Sequence, residues 1–280
     1  MKEEVIRFGP GDRLTGMLAL PAGGASRQGL LLFNAGLLTR IGPAGLNTAL
    51  ARELCAEGIT TLRFDLSGLG DSASLPPDQR DPDGALRSLD AATNVLGAHG
   101  CSDICVMGLC SGADHALRFV LNDRRAARLF LIDPPAFDTR QARVERVFIK
   151  LISPRRWVKR IARLFSGENR SKIEDPFADG RPTQPQMLES LQAILDRGGR
   201  VDILYTIDAA DRLTRPAHFW SVFPSLRGCE RLRIYVDLQA DHLFTMPTAR
   251  KRLIERVKMH LNSGEERPAE NSSRRAAHGG

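Results

Sequence analysis

The sequence predicts an α/β protein whose mainly parallel sheet is covered by helices on both faces. Short apolar stretches typical of buried strands alternate with stretches whose apolar residues repeat with a helical period. A glycine-rich turn at residues 108–112 joins one such strand directly to one such helix. With 280 residues, 42% of them hydrophobic, the chain can bury about three quarters of its unfolded surface in one core. One doubly wound domain with an insertion is therefore expected.

The predicted elements begin with a hairpin and continue as strand–helix units. Eight strands are predicted, at residues 5–8, 14–21, 30–36, 60–65, 103–107, 129–133, 201–207 and 232–236. Helical periodicity is clearest at residues 46–57, after a break at Arg40-Ile41-Gly42-Pro43, and at residues 113–121. Because parallel strands need long crossover connections, this alternation favours a parallel sheet after the hairpin.

The most informative stretch is Gly108-Leu109-Cys110-Ser111-Gly112, which has the G-x-nucleophile-x-G spacing of a sharp strand-to-helix turn. Cysteine occupies the nucleophile position. The glycines two residues to either side leave room for the close approach of strand and helix. The amide of Ser111 then points from a helix N-terminus towards a developing oxyanion. The alternative is a structural cysteine in an ordinary glycine turn.

Two loops upstream of this turn also have sequence patterns typical of one known superfamily. Residues 30–36 end in Asn34-Ala35-Gly36, and residues 65–72 form the D-x-x-G-x-G-x-S turn with Asp65 and Ser72 at its ends. Together with the cysteine turn, these segments resemble the α/β-hydrolase superfamily. The resemblance implies an α/β-hydrolase fold and a second oxyanion amide from the first loop, where Gly36 or Leu37 would donate. Many relatives have His-Gly where this chain has Asn34-Ala35-Gly36.

The resemblance also implies that nucleophile, acid and base follow one another along the chain. Asp208 and Asp211 follow the strand at residues 201–207; the family spacing favours Asp211 as the acid, with Asp208 as the alternative. Either is also compatible with an ordinary turn aspartate. His242 is the predicted base because it follows a strand and opens onto a loop. It is preferred over the other five histidines: His99, His115, His218, His260 and His278.

Residues 40–43, 62–72 and 108–110 are similar to a bacterial group of cysteine-elbow hydrolases. This group includes exosortase-system-associated and serine aminopeptidase-like hydrolases, and the similarity extends over residues 14 to 262. Members are linked to exopolysaccharide or secondary-metabolite assembly, so the resemblance implies a chemistry and no particular substrate. Dienelactone hydrolase is similar at the cysteine elbow.

The predicted core consists of residues 1–135 and 201–262, with a helical lid at residues 136–200 and a disordered polar tail at residues 263–280. Between residues 140 and 172, eleven Lys or Arg face two Glu, a local charge of +9 in a chain of net charge +7. The predicted lid arginines are Arg143, Arg146, Arg155 and Arg156. They are interpreted as solvated cap residues, as a site for an acidic acyl carrier, or as a contact with anionic membrane.

Composition excludes several other classes of function. Cys101 and Cys105 have no histidine pair to complete a metal site, so neither a metal nor another cofactor is expected. The basic stretch is not interleaved with exposed aromatic residues, which argues against nucleic acid. Five unpatterned cysteines and an N-terminus unlike a signal peptide predict a cytoplasmic protein, with peripheral membrane attachment through the lid as an alternative. The oligomeric state is not predicted.

The sequence thus predicts an enzyme that cleaves an ester or thioester through Cys110, Asp211 and His242 and an acyl-cysteine intermediate. The nearest alternative is transfer of the acyl group to an amine or hydroxyl acceptor, because thioesters react readily with amines. A hypothesis from another class is a non-catalytic scaffold that binds a membrane or a polymer-export machine through the basic lid.

Overall fold

The structure is a computed structural model that describes residues 1–24, 26–74, 83–137, 181–210 and 212–263. Within these ranges an eight-stranded sheet forms from β1 (Lys2–Phe8), β2 (Leu14–Leu20), β3 (Gln28–Leu32), β4 (Thr60–Phe64), β5 (Asp103–Leu109), β6 (Ala126–Ile132), β7 (Arg200–Thr206) and β8 (Leu232–Asp237). The spatial order is β1-β2-β4-β3-β5-β6-β7-β8. Strand β2 is antiparallel to β1 and β4, and all other neighbours are parallel. All eight predicted strands are confirmed.

Helices cover both faces of this sheet. They are α1 (Leu46–Ala56), α2 (Gly84–Ala98), α3 (Ser111–Asn122), α4 (Gln184–Asp196), α5 (Pro216–Val222) and α6 (Pro247–Asn262). Alternate residues of β3 belong to opposite cores: Leu31 shares a core with side chains of α2 to α5, whereas Leu30 and Leu32 share a core with side chains of α1 and α6. Burial on both faces explains why the central strands are apolar throughout rather than alternating with polar residues.

Helix α4 corrects the predicted boundary of the insertion. It lies within the predicted lid, yet Met187, Leu191 and Ile194 are fully buried in the same core as α3. The physical reason is that β6 and β7 are parallel, so the chain needs a crossover helix between them. Thr183 and Gln186 form a capping box at its N-terminus, a signal visible in the sequence. Residues 181–200 therefore belong to the core.

The remaining calls on the insertion and the tail lie outside the described residues. These comprise the predicted lid helices, with Arg143, Arg146, Arg155 and Arg156, and the polar tail beyond residue 263. Among the helices that the structure describes, none is long and apolar enough to cross a membrane.

The carboxyl ends of the parallel strands lie at one edge of the sheet. The loops that leave this edge after β5, β6, β7 and β8 contain Cys110, Asp133, Asp208 and His242, respectively. Ligands of open parallel sheets bind at this edge, because side chains from several loops converge there.

Candidate active site

Cys110 lies at the sharp turn between β5 and α3. Its backbone dihedral angles are φ 54° and ψ −119°, a strained conformation for a residue with a side chain. A Cβ atom on Gly108 would lie 2.4 Å from the Gly112 carbonyl oxygen, and one on Gly112 would lie 2.8 Å from the Asn34 carbonyl oxygen. Glycine is therefore required at both positions. Gly108 permits the close approach of strand and helix, as predicted, whereas Gly112 admits the loop that follows β3.

His242 contacts both Cys110 and a carboxylate. Its Nδ1 atom lies 2.7 Å from Oδ2 of Asp133, and its ring also forms a hydrogen bond with the Cys110 side chain. The hydrogen bond with Asp133 is the largest cause that raises the pKa of His242 to about 10, followed by the hydrogen bond with Cys110, while burial opposes the rise. The ring is therefore protonated at neutral pH, and 28% of the side chain is exposed.

Asp133 is held rigidly at the end of β6. Its carboxylate accepts hydrogen bonds from the backbone N–H of Thr206 at 2.7 Å and from the Thr206 hydroxyl at 2.6 Å. The residue has a positive φ of 48°, and its own N–H donates to the Leu204 carbonyl oxygen. Thr206, fully buried at the end of β7, thus directs the carboxylate of the neighbouring strand towards His242.

Asp208, the alternative acid of the sequence analysis, is not the partner of the His242 ring in the structure. Asp208 accepts a hydrogen bond from the backbone N–H of His242 at 2.7 Å, so it contacts the base loop rather than the imidazole. Asp211 lies outside the described residues. The ring's partner, Asp133, was missed although its signal was visible: it ends an apolar predicted strand. Because β6 pairs directly with β5, with Ile132 opposite Leu109, its end lies beside the turn at Cys110.

The three predicted oxyanion donors differ in their contacts. The Gly36 amide donates a hydrogen bond of 2.8 Å to the Ser111 hydroxyl, which ties the loop after β3 to the start of α3. The Ser111 amide lies in the first turn of α3, where helix N–H groups lack intrahelical partners. Within the described ranges the Leu37 amide has no hydrogen-bond acceptor, and Leu37 is 70% exposed. The amides of Ser111 and Leu37 therefore have the hydrogen-bonding capacity for an oxyanion.

A buried ion pair connects the loop after β3 to the glycine turn after β4. Asp65 is fully buried, accepts a hydrogen bond from the Arg40 amide at 2.6 Å, and contacts the Arg40 guanidinium. The Nη2 atom of that guanidinium lies 2.6 Å from Oδ2 of Asp71. Asn34 donates to Asp65 and to the Leu38 carbonyl oxygen. These contacts, which the sequence motif did not reveal, hold the backbone that carries Leu37.

The four other cysteines have different surroundings. Cys55, Cys101 and Cys105 are buried in the core, and burial raises the pKa of each thiol. Cys229 is partly exposed but does not line the pocket that contains His242. Cys110 is thus the cysteine whose surroundings suit nucleophilic chemistry.

The converging loops form an open pocket of about 430 Å³. It is lined by Cys110, Asp133, Pro134, Ala136, Arg181, Asp208, Ala209, Arg212 and His242. His242 is the one histidine of the described chain in this lining; His218 and His260 are buried elsewhere, and His278 lies outside the described residues. In the part of the chain that the structure describes, no group of three or more potential ligands is arranged for a metal ion.

Comparison with solved structures shows the same fold at low sequence identity. A Pyrococcus furiosus esterase is 16% identical with a TM-score of 0.59, covering 93% of this chain and 90% of its own. An α/β serine hydrolase without a lid from Xanthomonas campestris is 16% identical (TM-score 0.55; 93% and 94% covered). Dienelactone hydrolase from Anabaena variabilis is 15% identical (TM-score 0.54; 91% and 94% covered).

Sequence comparison assigns the family. No curated protein sequence matches the chain. The model of the alpha/beta hydrolase family matches residues 35–256, which include most of the loop after β3, the turn at Cys110 and the loop that contains His242. With most of its length matched and the fold in agreement, the chain belongs to the alpha/beta hydrolase family and is a hydrolase.

Proposed function

We propose that this hydrolase cleaves a carboxylic ester or thioester through a covalent acyl intermediate on Cys110. The observation that supports the proposal most strongly is the position of His242, whose ring contacts the Cys110 thiol and the Asp133 carboxylate in one pocket. Cys110 is the nucleophile and His242 the acid–base group. Asp133 holds the imidazole and takes the role that the sequence analysis assigned to Asp211 or Asp208.

In the first half-reaction the Cys110 sulfur attacks the acyl carbon as the thiolate whose proton the His242 ring holds, and the bond from that carbon to the leaving oxygen or sulfur breaks. His242 donates a proton to the leaving group. Because its pKa is raised to about 10, the ring carries this proton at neutral pH. The amides of Ser111 and Leu37 stabilise the negative oxygen of the tetrahedral intermediate, which contributes about 3 to 4 kcal/mol per donor.

In the second half-reaction water attacks the acyl-cysteine thioester. His242, now neutral, accepts a proton from that water while the C–S bond breaks, so the carboxylic acid leaves and the Cys110–His242 pair is restored. Asp133 keeps the ring oriented in both steps through its hydrogen bond to Nδ1. The His242 side chain is 28% exposed, so water can reach the ring.

Two further observations support an ester or thioester as the substrate. The pocket of about 430 Å³ accommodates a small acyl group. Solved structures with the same fold include an esterase from Pyrococcus furiosus and a dienelactone hydrolase from Anabaena variabilis. Acyl transfer uses the same acyl-cysteine intermediate. It differs from hydrolysis in that an amine or hydroxyl acceptor, rather than water, attacks this intermediate.

The proposal is tested by intact-protein mass spectrometry after exposure to short and medium acyl p-nitrophenyl esters and acyl-coenzyme A thioesters. The wild type and the control variant Cys229→Ser should gain one acyl group, and Cys110→Ala should gain none. An adduct that decays in water supports hydrolysis, whereas one that persists until an amine or alcohol is added identifies a transferase. No adduct and no turnover with any donor would contradict catalysis and favour a non-catalytic scaffold.

A further inference from the structure

Two arginines line the pocket together with the proposed nucleophile and base. Arg181 precedes α4, and Arg212 follows β7, so the two side chains reach the pocket from different loops. Both residues are exposed. No step of the proposed reaction uses either of them.

Both guanidinium groups retain hydrogen-bond donors. The Nε atom of Arg181 lies 3.5 Å from Oδ2 of Asp114. The Nη1 atom of Arg212 donates a hydrogen bond of 3.3 Å to the Ala136 carbonyl oxygen. A guanidinium has five N–H donors. In the described part of the chain, both terminal nitrogens of Arg181 and one of Arg212 have no protein acceptor. These are the atoms that bind a carboxylate or phosphate in a bidentate manner.

The acidic side chains of the pocket are directed to other partners. Asp133 accepts hydrogen bonds from Thr206 and His242, and its side chain is only 7% exposed. Asp208 uses Oδ2 for the His242 backbone N–H. Both carboxylates thus accept hydrogen bonds from groups that position the base. The positive charges of the two arginines therefore make this wall of the pocket complementary to an anion.

We propose that the substrate is an ester or thioester that also contains a carboxylate or phosphate, and that Arg181 and Arg212 bind this anion while Cys110 attacks the acyl carbon. The inference rests on the proposed function and specifies its substrate class. The anion can belong to the acyl part, as in a dicarboxylic acid monoester, or to the leaving part, as in a phosphopantetheine thioester; the experiment separates the two.

The test compares matched pairs of substrates. 4-Nitrophenyl adipate is compared with its neutral methyl ester, and S-acetyl phosphopantetheine with S-acetyl pantetheine. kcat/KM is measured for the wild type, Arg181→Gln, Arg212→Gln and the control Arg250→Gln. Arg250 is a fair control because it also donates to a backbone carbonyl oxygen, that of Ala44 at 2.9 Å, and does not line the pocket.

The wild type should prefer the anionic member of at least one pair by about 10-fold or more, as charge-assisted hydrogen bonds imply. Each pocket substitution should lower that preference by about 10-fold and change kcat/KM for the neutral member by less than about twofold. Arg250→Gln should leave the preference unchanged. Preference for the adipate places the anion site on the acyl side, and preference for the phosphopantetheine thioester places it on the leaving-group side.

Equal rates within both pairs, or a preference that survives both substitutions, would overturn the anion site. Turnover of the neutral esters would then still support the proposed function. A binding measurement covers the case in which no ester is turned over. In calorimetry with Cys110→Ala, 4-nitrophenyl adipate should bind about 10-fold more tightly than its methyl ester, and equal affinities would refute the inference independently of catalysis.

Discussion

Replacing Asp133 by asparagine removes the negative charge beside His242 while keeping the size of the side chain. We expect kcat/KM for ester hydrolysis to fall by about 10² to 10⁴. Two effects combine. The ring loses the partner that stabilises its protonated form, and the asparagine amide can present an N–H to Nδ1, which would hold the imidazole in the wrong tautomer.

The size of the effect follows from the pKa of His242. A rise from the ordinary value of 6.5 to about 10 corresponds to about 5 kcal/mol of preference for the imidazolium. Asp133 is the largest cause of this rise and Cys110 the second. Only 28% of the His242 side chain is exposed, so solvent screens the interaction less than at an open surface. The pKa of His242 should therefore fall markedly in Asp133→Asn.

The assay measures kcat/KM for a p-nitrophenyl ester and the rate of Cys110 alkylation by iodoacetamide between pH 5 and 10. The matched control is Asp208→Asn, in which the amide oxygen can still accept the His242 backbone N–H; its kcat/KM should stay within about fivefold of the wild type. Asp211→Asn tests the acid that the sequence analysis preferred.

Two results would refute this reasoning. One is an Asp133→Asn variant whose kcat/KM and His242 titration resemble those of the wild type. The other is an Asp211→Asn variant that loses as much activity as is expected of Asp133→Asn, because the ring would then depend on Asp211.

Three further predictions follow from the structure. Iodoacetamide should label Cys110 before the buried cysteines in both the wild type and Cys229→Ser, and faster labelling of a core cysteine in mass spectra would contradict the assignment. Gly70→Ala should lower the free energy of unfolding in urea by about 2 to 4 kcal/mol, because its Cβ would lie 2.4 Å from a buried carboxylate oxygen. The control Gly45→Ala, which also has a positive φ but open space, should lose only about 1 kcal/mol, and equal losses would reject the clash. Because the pKa of His242 is raised in the folded state, the stability that its protonated ring contributes is complete below about pH 6.5 and is lost as the pH rises through 10. The difference in unfolding free energy between the wild type and His242→Gln should therefore shrink over that interval. A constant difference would argue against the raised pKa.

Much of the fold could be predicted because local pattern and global architecture agree. The turn between β5 and α3 is an example, because an apolar stretch precedes Gly108 and a stretch with helical period follows Gly112. Only a turn with tight backbone contacts requires glycine at both positions. The predicted boundary of the insertion differs from the structure at α4. Its apolar residues show helical spacing, but spacing alone does not distinguish a crossover helix on the sheet from a helix of a lid.

The sequence by itself determined the order of strands and helices along the chain, the sharp turn at Cys110, and the position of His242 in the loop after the last strand. Tertiary structure decided which carboxylate meets the imidazole. Strand β6 lies between β5 and β7, and the side chain at its end is turned towards His242 by Thr206 of the next strand. Such contacts join residues far apart in sequence, 109 positions in the case of Asp133 and His242. They depend on how strands are ordered in space, which local sequence patterns do not encode.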